Sequence, residues 1–324
     1  MYIQEKTLMS GRKFGSRGFS MIEMMISITI GMFIIIALIA VLVSNANSNK
    51  ANDRTSELQS NGRYALEDLK RELRHAGFRG FSWGLPLPVD AATVINVTNE
   101  CLDGVGVLAN SFVTNIGLGI WGANDSNPYS GNCLPAAQRL RGDVLVIRRV
   151  ANTQTTALDA NSLYFRSTYA FGAMFQGTVP PPGVVGPPVA TFPLQAHVYY
   201  IGPSDAPDQN VPALRRVTLV GKVMVDQMVV SGIEQMQVTY AITDTALNTQ
   251  YYNADNVRLT GASTSAVASG WNDVNSVRIW LLARNAKTEP GYQNTNSYVM
   301  GDKVVVANDS FRRQLYTTVV QLRN

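Results

Sequence analysis

Charged side chains, cysteine and histidine are all scarce in this sequence. Charged residues make up 15% of the 324 residues, whereas ordinary soluble domains contain about 25%. The two histidines, His75 and His197, are far apart, and the chain has only two cysteines. This set does not form the ligand pattern of a zinc site. No metal site and no cofactor are predicted.

Motifs typical of enzymes are also missing. The sequence contains neither H-E-x-x-H nor G-x-S-x-G, and neither histidine has a serine or cysteine partner at catalytic spacing. Residues 117–122 match G-x-G-x-x-G, but a polar turn at 124–128 follows where a phosphate-binding helix would begin. Residues 141–143 read Arg-Gly-Asp, a cell-attachment tripeptide, yet they lead into an apolar run and are interpreted as a turn before a strand. The chain is predicted not to be an enzyme.

Two polar clusters could each contribute to a calcium loop. Neither has the full ligand pattern of such a loop, so both are interpreted as solvated turns, with calcium binding as the weaker alternative. The clusters consist of Asp205, Asp208 and Asn210, and of Asn253, Asp255 and Asn256.

The positive charge is concentrated at the N-terminus. The chain has a net charge of +4, of which residues 1–18 supply +3 and residues 19–324 only +1. Because binding to phosphate backbones needs clustered Lys and Arg, no nucleic-acid partner is predicted. A basic leader ahead of an apolar run is instead typical of the cytoplasmic flank of a membrane segment. The charged residues of the leader are Lys6, Arg12, Lys13 and Arg17, against Glu5.

One long apolar run, residues 19–43, follows the leader. As a helix it would reach roughly 37 Å, which is enough to cross a bilayer. A cleaved secretory signal with Ser44 and Ala46 at its cleavage site is a weaker alternative, because the apolar run is too long. The single acid, Glu23, either extends its carboxylate to the lipid headgroups or has a partner in the membrane.

Residues 44–76 are predicted to form an amphipathic continuation of that helix. Small and apolar side chains recur there at spacings of three and four residues and form one stripe. Gly77 is a natural stop, so we expect one helix from about Ser20 to about Ala76. A short independent coiled coil is the weaker alternative, because the stripe is too brief for sustained heptads. The stripe consists of Leu58, Gly62, Ala65, Leu66, Leu69, Leu73 and Ala76.

Residues 77–324 are predicted to form a β-rich head. Runs of β-branched and aromatic residues alternate there with clusters of Gly, Asn, Asp and Pro. A proline-rich segment near 179–190 is expected to be an exposed loop that divides the head into two sheets. The predicted β runs cover residues 144–147, 197–201, 221–230, 236–240, 277–282, 303–306 and 316–322.

The start of the apolar run resembles a known processing signal. Gly-Phe-Ser-Met-Ile-Glu at residues 18–23, followed by an apolar helix, is similar to the class III signal of type IV pilins and of the pseudopilins of type II secretion. The resemblance implies that prepilin peptidase cuts after Gly18 and methylates the new N-terminal residue, Phe19. It also implies that Glu23 pairs with the N-terminal amine of a neighbouring subunit. Since either charge alone is penalised in lipid, such a pair would favour registered assembly.

Further segments are similar to PilW-type minor pilins. They are residues 73–78, residues 230–240, Trp271 with residues 277–282, and residues 312–324. The tryptophan followed by an apolar strand is also similar to the J-type minor pseudopilins of type II secretion. Residues 84–220 match only loosely. The resemblance implies an α+β, type IV pilin-like fold, with one long N-terminal helix whose first half spans the membrane, packed on a large antiparallel β-sheet head.

The same resemblance implies a function in type IV pilus biogenesis. We expect a minor pilin that helps to form the priming or tip complex of the filament and so serves twitching motility and adhesion. Its expected partners are prepilin peptidase, other minor pilins, the major pilin, the inner-membrane assembly platform, a tip adhesin and the membrane itself. The protein is expected in the inner membrane with a periplasmic head before assembly, and afterwards in the pilus at the cell surface.

Three alternatives remain at this point. A minor pseudopilin at the tip of a type II secretion pseudopilus would share the helix and its processing. A membrane-anchored periplasmic enzyme would need convergent catalytic side chains, which the sequence does not indicate. An adhesin presenting the proline-rich loop and the Asn-rich turns to a receptor is compatible with a location at the tip.

A periplasmic head would place Cys101 and Cys133 in an oxidising compartment. The two are expected to form a disulfide that closes a loop of about 30 residues and stabilises the head by a few kcal/mol. Two unpaired buried thiols are the alternative.

Overall fold

The computed structural model describes residues 18–84, 88–102, 112–243, 246–257 and 270–322. The chain divides into two compact units, Met1–Asp53 and Arg54–Asn324. The basic leader, apart from Gly18, and the last two residues of the PilW-like ending lie outside the described residues.

Two α-helices, one 3-10 helix and thirteen strands make up the described structure. In chain order they are α1 (Met21–Arg74), β1 (Ile120–Ala123), β2 (Arg141–Val150), β3 (Leu163–Ser167), β4 (Gly172–Gln176), β5 (Ala190–Pro203), β6 (Pro212–Val220), β7 (Val223–Ser231), β8 (Ile233–Thr243), β9 (Thr249–Tyr252), α2 (Ala254–Val257), the 3-10 helix (Trp271–Asp273), β10 (Val274–Arg284), β11 (Ser297–Met300), β12 (Lys303–Val306) and β13 (Arg313–Gln321).

The apolar part of α1 has the length and composition of a membrane-spanning helix. Its side chains are exposed almost throughout. The hydroxyls of Ser27 and Thr29 donate to main-chain carbonyls one turn back, at Glu23 and Met25, with distances of 2.7 and 3.1 Å. These bonds satisfy the hydroxyls within the helix, which suits a segment that would have no water around it.

The amphipathic part of α1 buries the predicted stripe. Leu58, Ala65, Leu69 and Leu73 are buried in one core with residues of the β-sheets, while Leu66 is only partly buried against it. Helical spacing brings these side chains onto one face, and the apolar sheet surface covers that face. The stripe therefore forms the helical wall of the head.

A glycine ends the helical region, as the sequence predicts. The last turn of α1 is at Arg74, and Gly77 follows with a φ of 75°, which an L side chain rarely adopts. The Gly77 N–H donates to the carbonyl of Arg148 at 2.9 Å. A Cβ on Gly119 would lie 2.4 Å from Gly77 Cα, so the main chains approach each other closely here.

The first sheet contains β1 to β7, all paired antiparallel. Its main path runs β1-β2-β5-β3-β4, while β6 pairs with β5 and β7. The 14-residue strand β5 pairs with β2, β3 and β6, and so forms the centre of the sheet.

The predicted division of the head near 179–190 is corrected by the strand pairing. The proline-rich segment lies between β4 and β5, and both of these strands pair with β3 in the first sheet. The chain leaves the first sheet at Gly232, between β7 and β8, where φ is 81°. The prolines exclude a central strand in this segment and so indicate a loop. A loop between two strands of one sheet meets this condition as well as a loop between two sheets does.

The second sheet has the order β13-β10-β8-β9, again antiparallel, and β11 and β12 form a separate hairpin. Each predicted β run overlaps a strand, and the fold of a long apolar N-terminal helix with antiparallel sheets is confirmed. Strands not predicted are β1, β3, β4, β6, β9 and β11.

The first sheet separates two hydrophobic cores. Along β2, Leu145 and Ile147 enter the core shared with α1 and the second sheet, whereas Val144 and Val146 enter the other. Alternation along a strand produces this division, because successive side chains point to opposite faces.

Candidate functional site

The predicted processing motif lies at the first turn of α1. Gly18 and Phe19 precede the helix, and Phe19 is 84% exposed. The Ser20 N–H donates to Glu23 Oε2 at 3.0 Å, and Ser20 Oγ accepts from the Ile22 N–H at 3.4 Å. Serine at the N-cap and an acid three residues later, both bonded to main-chain N–H groups, form a capping box.

This cap was not predicted, although its signal is present in the sequence. Ser-Met-Ile-Glu at 20–23 matches the S-x-x-E pattern directly before an apolar run. The cap gives the Glu23 carboxylate a main-chain partner in its own chain, at the helix end where negative charge is favourable. Gly18 and Phe19 thus directly precede the N-terminal end of α1, and Glu23 lies in its first turn.

The structure joins Cys101 to Cys133 in a disulfide. Both sulfur-bearing side chains are buried in the second core, beside Phe112, Tyr129 and Leu134. The bond closes a segment of sequence separation 32 in the region between α1 and β2.

A buried ionic cluster connects the amphipathic part of α1 to the first sheet. Glu72 Oε2 accepts from Arg149 Nε and Nη2 at 3.0 and 2.8 Å. The same oxygen lies 3.5 Å from His197 Nε2, and His197 Nδ1 is 2.8 Å from Thr218 Oγ1. Burial, reinforced by the nearby positive charges of Arg216 and Arg149, lowers the pKa of His197 to about 4, although Glu72 opposes this shift. His197 is therefore neutral at neutral pH.

A second helix carboxylate, Asp68, is bonded in the same region. Tyr199 Oη donates to Asp68 Oδ2 at 3.0 Å, and Arg71 forms an ion pair with the other oxygen. Burial raises the pKa of Tyr199, as do the charges of Asp68 and Glu72. Since buried polar groups need directional partners, these contacts fix the rotation of α1 on the sheet more narrowly than the apolar stripe does.

Asp143 links the two sheets. Its Oδ1 accepts from the Asp125 N–H at 3.0 Å, and its Oδ2 accepts from the Val238 N–H of β8 at 2.7 Å. Burial raises the pKa of Asp143 to about 7, with the charges of Asp125 and Asp302 adding to the shift and the two hydrogen bonds opposing it. The Arg-Gly-Asp tripeptide thus begins β2 and buries its glycine and aspartate.

Two glycines of the G-x-G-x-x-G match, Gly119 and Gly122, permit close packing. A Cβ on Gly122 would lie 2.0 Å from Tyr240 Oη, and Gly119 approaches Gly77 as described above. The two polar clusters interpreted as solvated turns also have other contacts: Asp205 pairs with Arg215 at 2.7 Å, and Asn253 donates to Asp302 at 2.8 Å. Across residues 18–84, 88–102, 112–243, 246–257 and 270–322, no three His, Cys, Asp or Glu side chains are grouped to hold a metal ion.

Comparisons with known proteins match both ends of the chain. Residues 198–324 match the family described as Type IV Pilus-assembly protein W, or PilW, and residues 13–43 match the Prokaryotic N-terminal methylation motif. A solved structure, the Type IV-like pilin TTHA1219 from Thermus thermophilus, is similar at 16% identity with a TM-score of 0.32, covering 84% of this chain and 96% of that one. No curated protein matches the chain.

The PilW match includes β8, β10 and β13, which contain segments whose sequence resembles PilW-type minor pilins. The methylation motif includes Gly18, Phe19 and Glu23 and ends where the apolar run ends. These two matches support the interpretation of the chain as a minor pilin of the PilW type.

Proposed function

We propose that the protein is cut by prepilin peptidase between Gly18 and Phe19 and then helps to form the priming or tip complex of a type IV pilus. The match of residues 13–43 to the methylation motif supports this most directly. The accessible Phe19 also fits, because a protease and methyltransferase must reach the main chain ahead of the helix. The role is structural: the chain contributes packing and ion pairing rather than catalysis.

Before assembly, the apolar part of α1 would anchor the protein in the inner membrane with the head in the periplasm. Its partners would be prepilin peptidase, the assembly platform, the major pilin and other minor pilins. The length and apolar composition of α1 support the membrane anchor.

Processing is tested with Gly18→Val. We expect the variant to keep its leader, because a branched side chain beside the scissile bond obstructs the peptidase. Intact-mass spectrometry of the protein purified from cells with the peptidase should then show the unprocessed mass and no methylation of Phe19. Gly31→Val, at a helix glycine with open space around it, serves as the matched control and should be processed normally. A methylated N-terminal Phe19 in the Gly18→Val protein would refute the proposed cleavage site.

Glu23 is proposed to exchange partners during assembly. In the free chain its carboxylate accepts from the Ser20 N–H. In the filament it would pair with the Phe19 ammonium of a neighbouring subunit, since opposite charges attract strongly where the dielectric is low. Capping and ion pairing are thus two separate functions of one carboxylate.

Two substitutions separate these functions. Glu23→Gln keeps a side-chain oxygen that can cap the helix but removes the charge, while Glu23→Ala removes both. We expect both variants to be processed and both to be depleted from sheared pili, as quantified by immunoblotting against the head. Normal incorporation of Glu23→Gln together with depletion of Glu23→Ala would show that assembly requires capping and not ion pairing.

Deletion of the gene separates a pilus from a type II secretion pseudopilus. We expect loss of pili and of twitching motility, with protein secretion intact. Loss of secretion with normal piliation would reassign the protein to the pseudopilus.

A further inference from the structure

A cleft opens on the second sheet, on the face opposite to the core shared with α1. Val277, Ile279 and Leu281 of β10 enter that core, so the alternate residues Arg278 and Trp280 point the other way. They form the floor of the cleft, whose volume is about 460 Å³. This size is within the roughly 300–1,000 Å³ of small-molecule sites.

The floor contains an unused hydroxyl. Thr239 of β8 pairs with Arg278 across the strands and is 9% exposed. Its Oγ1 is buried and has no hydrogen-bond partner among the described residues. Buried hydroxyls are almost always bonded, so this one is a hydrogen-bonding position at the floor of the cleft that the described residues leave unused.

The arginine on the floor is held by aromatic rings rather than by a carboxylate. Its guanidinium carbon lies 4.2 Å from the ring centroid of Tyr251 and 5.8 Å from that of Trp280. Within the described part of the chain Arg278 has no ion pair, whereas Arg312 and Arg313 of the same region pair with glutamates. These ring contacts do not use the guanidinium N–H groups, which can therefore donate to a bidentate acceptor.

The walls of the cleft are polar and fixed in place. Asp302 Oδ2 accepts from Asn253 Nδ2 at 2.8 Å and from Asn124 Nδ2 at 3.0 Å. A Cβ on Gly301 would lie 3.4 Å from the Trp280 ring, so the turn of the β11–β12 hairpin packs directly against that ring. Carboxamide and carboxylate groups at such a rim both donate to and accept from hydroxyl groups.

We propose that this cleft binds an acidic saccharide, with the sugar carboxylate on Arg278. Thr239 Oγ1 and the Asn253–Asp302 wall bond the ring hydroxyls, and the apolar face of the sugar lies against the rings of Tyr251 and Trp280. A neutral sugar would leave the guanidinium without an acceptor, and a purely apolar ligand would also leave the hydroxyl unsatisfied. The site is a binding function of the head that does not depend on cleavage at Gly18 or on pairing by Glu23.

Calorimetric titration of the full-length protein with digalacturonate tests the proposal. A zwitterionic detergent without a sugar headgroup keeps the micelle from competing for the cleft. We expect saturable binding with one site per chain and a change in tryptophan fluorescence from Trp280. The methyl ester of the same disaccharide, which lacks the negative charge, should bind roughly tenfold more weakly. Absence of saturable binding by either probe, or equal binding of acid and ester, overturns the proposal.

Variants locate the binding. Arg278→Gln should reduce the affinity for the acid to that of the ester, while Arg63→Gln, at an exposed helix position outside the cleft, should change nothing. Thr239→Val, which replaces a hydroxyl by a methyl of the same size, should weaken both probes several-fold. Unchanged affinity for the acid in folded Arg278→Gln protein overturns the assignment. If that variant fails to fold, the acid–ester comparison in the unaltered protein still decides between the outcomes.

Discussion

His197 and Asp143 are buried side chains whose pKa values shift so that both are uncharged more often in the fold than in the unfolded chain. The pKa of His197 is lowered to about 4, so between roughly pH 4 and 6.5 the unfolded chain binds a proton that the folded chain does not. Stability due to His197 thus falls as the pH falls through that window. The pKa of Asp143 is raised to about 7, so between roughly pH 4 and 7 the folded chain holds the extra proton. Stability due to Asp143 therefore falls as the pH rises, and the two contributions oppose each other.

Replacing either His197 or Asp143 should reveal the pH dependence of stability that is due to the other residue. In the His197→Gln protein we expect the free energy of unfolding of the head to fall as the pH rises from 4 to 6.5. In the Asp143→Asn protein we expect it to rise over the same interval. Each slope approaches about 1.4 kcal/mol per pH unit, the value for one proton. Thermal unfolding of the full-length protein in detergent, followed by head tryptophan fluorescence at half-unit pH steps, measures both. If the free energy of unfolding had the same slope against pH in both variants, the opposing contributions of His197 and Asp143 would be contradicted. This holds whatever the absolute loss of stability in each variant.

At the scale of elements, the helices and strands that could be predicted from the sequence are those whose apolar residues recur with a regular period. The stripe of α1 and the long apolar strands follow the periods of helix and strand, so Leu69 and Leu73 were correctly placed in the core. Strand β6 was missed because its centre, Arg215-Arg216, resembles a solvated turn. In the fold, Arg215 bonds Asp205 and Asp226 at 2.7 Å each. Burial lowers the pKa of Arg215, but its bonds to those carboxylates outweigh this and raise it. These partners lie 10 and 11 residues away, in other segments, so the local sequence around Arg215 does not reveal them.

One position in the helix stripe depends on lacking a side chain. A Cβ on Gly62 would lie 2.2 Å from Tyr316 Cε2, and Tyr316 Oη donates to the Leu58 carbonyl at 3.4 Å. Tyr316 of β13 therefore crosses the helix at the glycine. Alanine would add roughly 1 kcal/mol of helix propensity but would displace the ring.

We expect Gly62→Ala to destabilise the head by about 1–2 kcal/mol, because overpacking outweighs the gain in propensity. In a Tyr316→Ala background the ring is gone, and the same substitution should stabilise the head by up to about 1 kcal/mol. Thermal unfolding of the four proteins forms a double-mutant cycle whose interaction energy isolates the contact. An equal effect of Gly62→Ala in both backgrounds would mean that the ring does not occupy this space.

At the scale of the whole molecule, the class of fold and the processing motif could be predicted from the sequence. The boundary between the two sheets and the contacts that connect them could not. The boundary between sheets lies at Gly232 rather than near 179–190, because β5 returns to pair with β3 after the proline-rich loop. Asp143 then connects the sheets through a main-chain N–H of β8, a contact between residues 95 positions apart. The capping box was visible in the sequence, but the saccharide cleft was not, since β8, β9, β10 and the β11–β12 hairpin meet only in the fold.

Removal of the disulfide tests whether processing of the N-terminus depends on the stability of the head. Cys101 and Cys133 close a loop of sequence separation 32 around the second core, and such a crosslink contributes about 3 kcal/mol by restricting the unfolded chain. We expect Cys101→Ser/Cys133→Ser to lower the unfolding temperature of the head by several degrees. The variant should still be cut at Gly18 and methylated at Phe19, because the motif lies in the other compact unit. Intact-mass spectrometry and thermal unfolding on the same preparation check both halves, and the unaltered protein under reducing conditions should reproduce the shift. Loss of processing in the double variant would show instead that the peptidase requires a stable head.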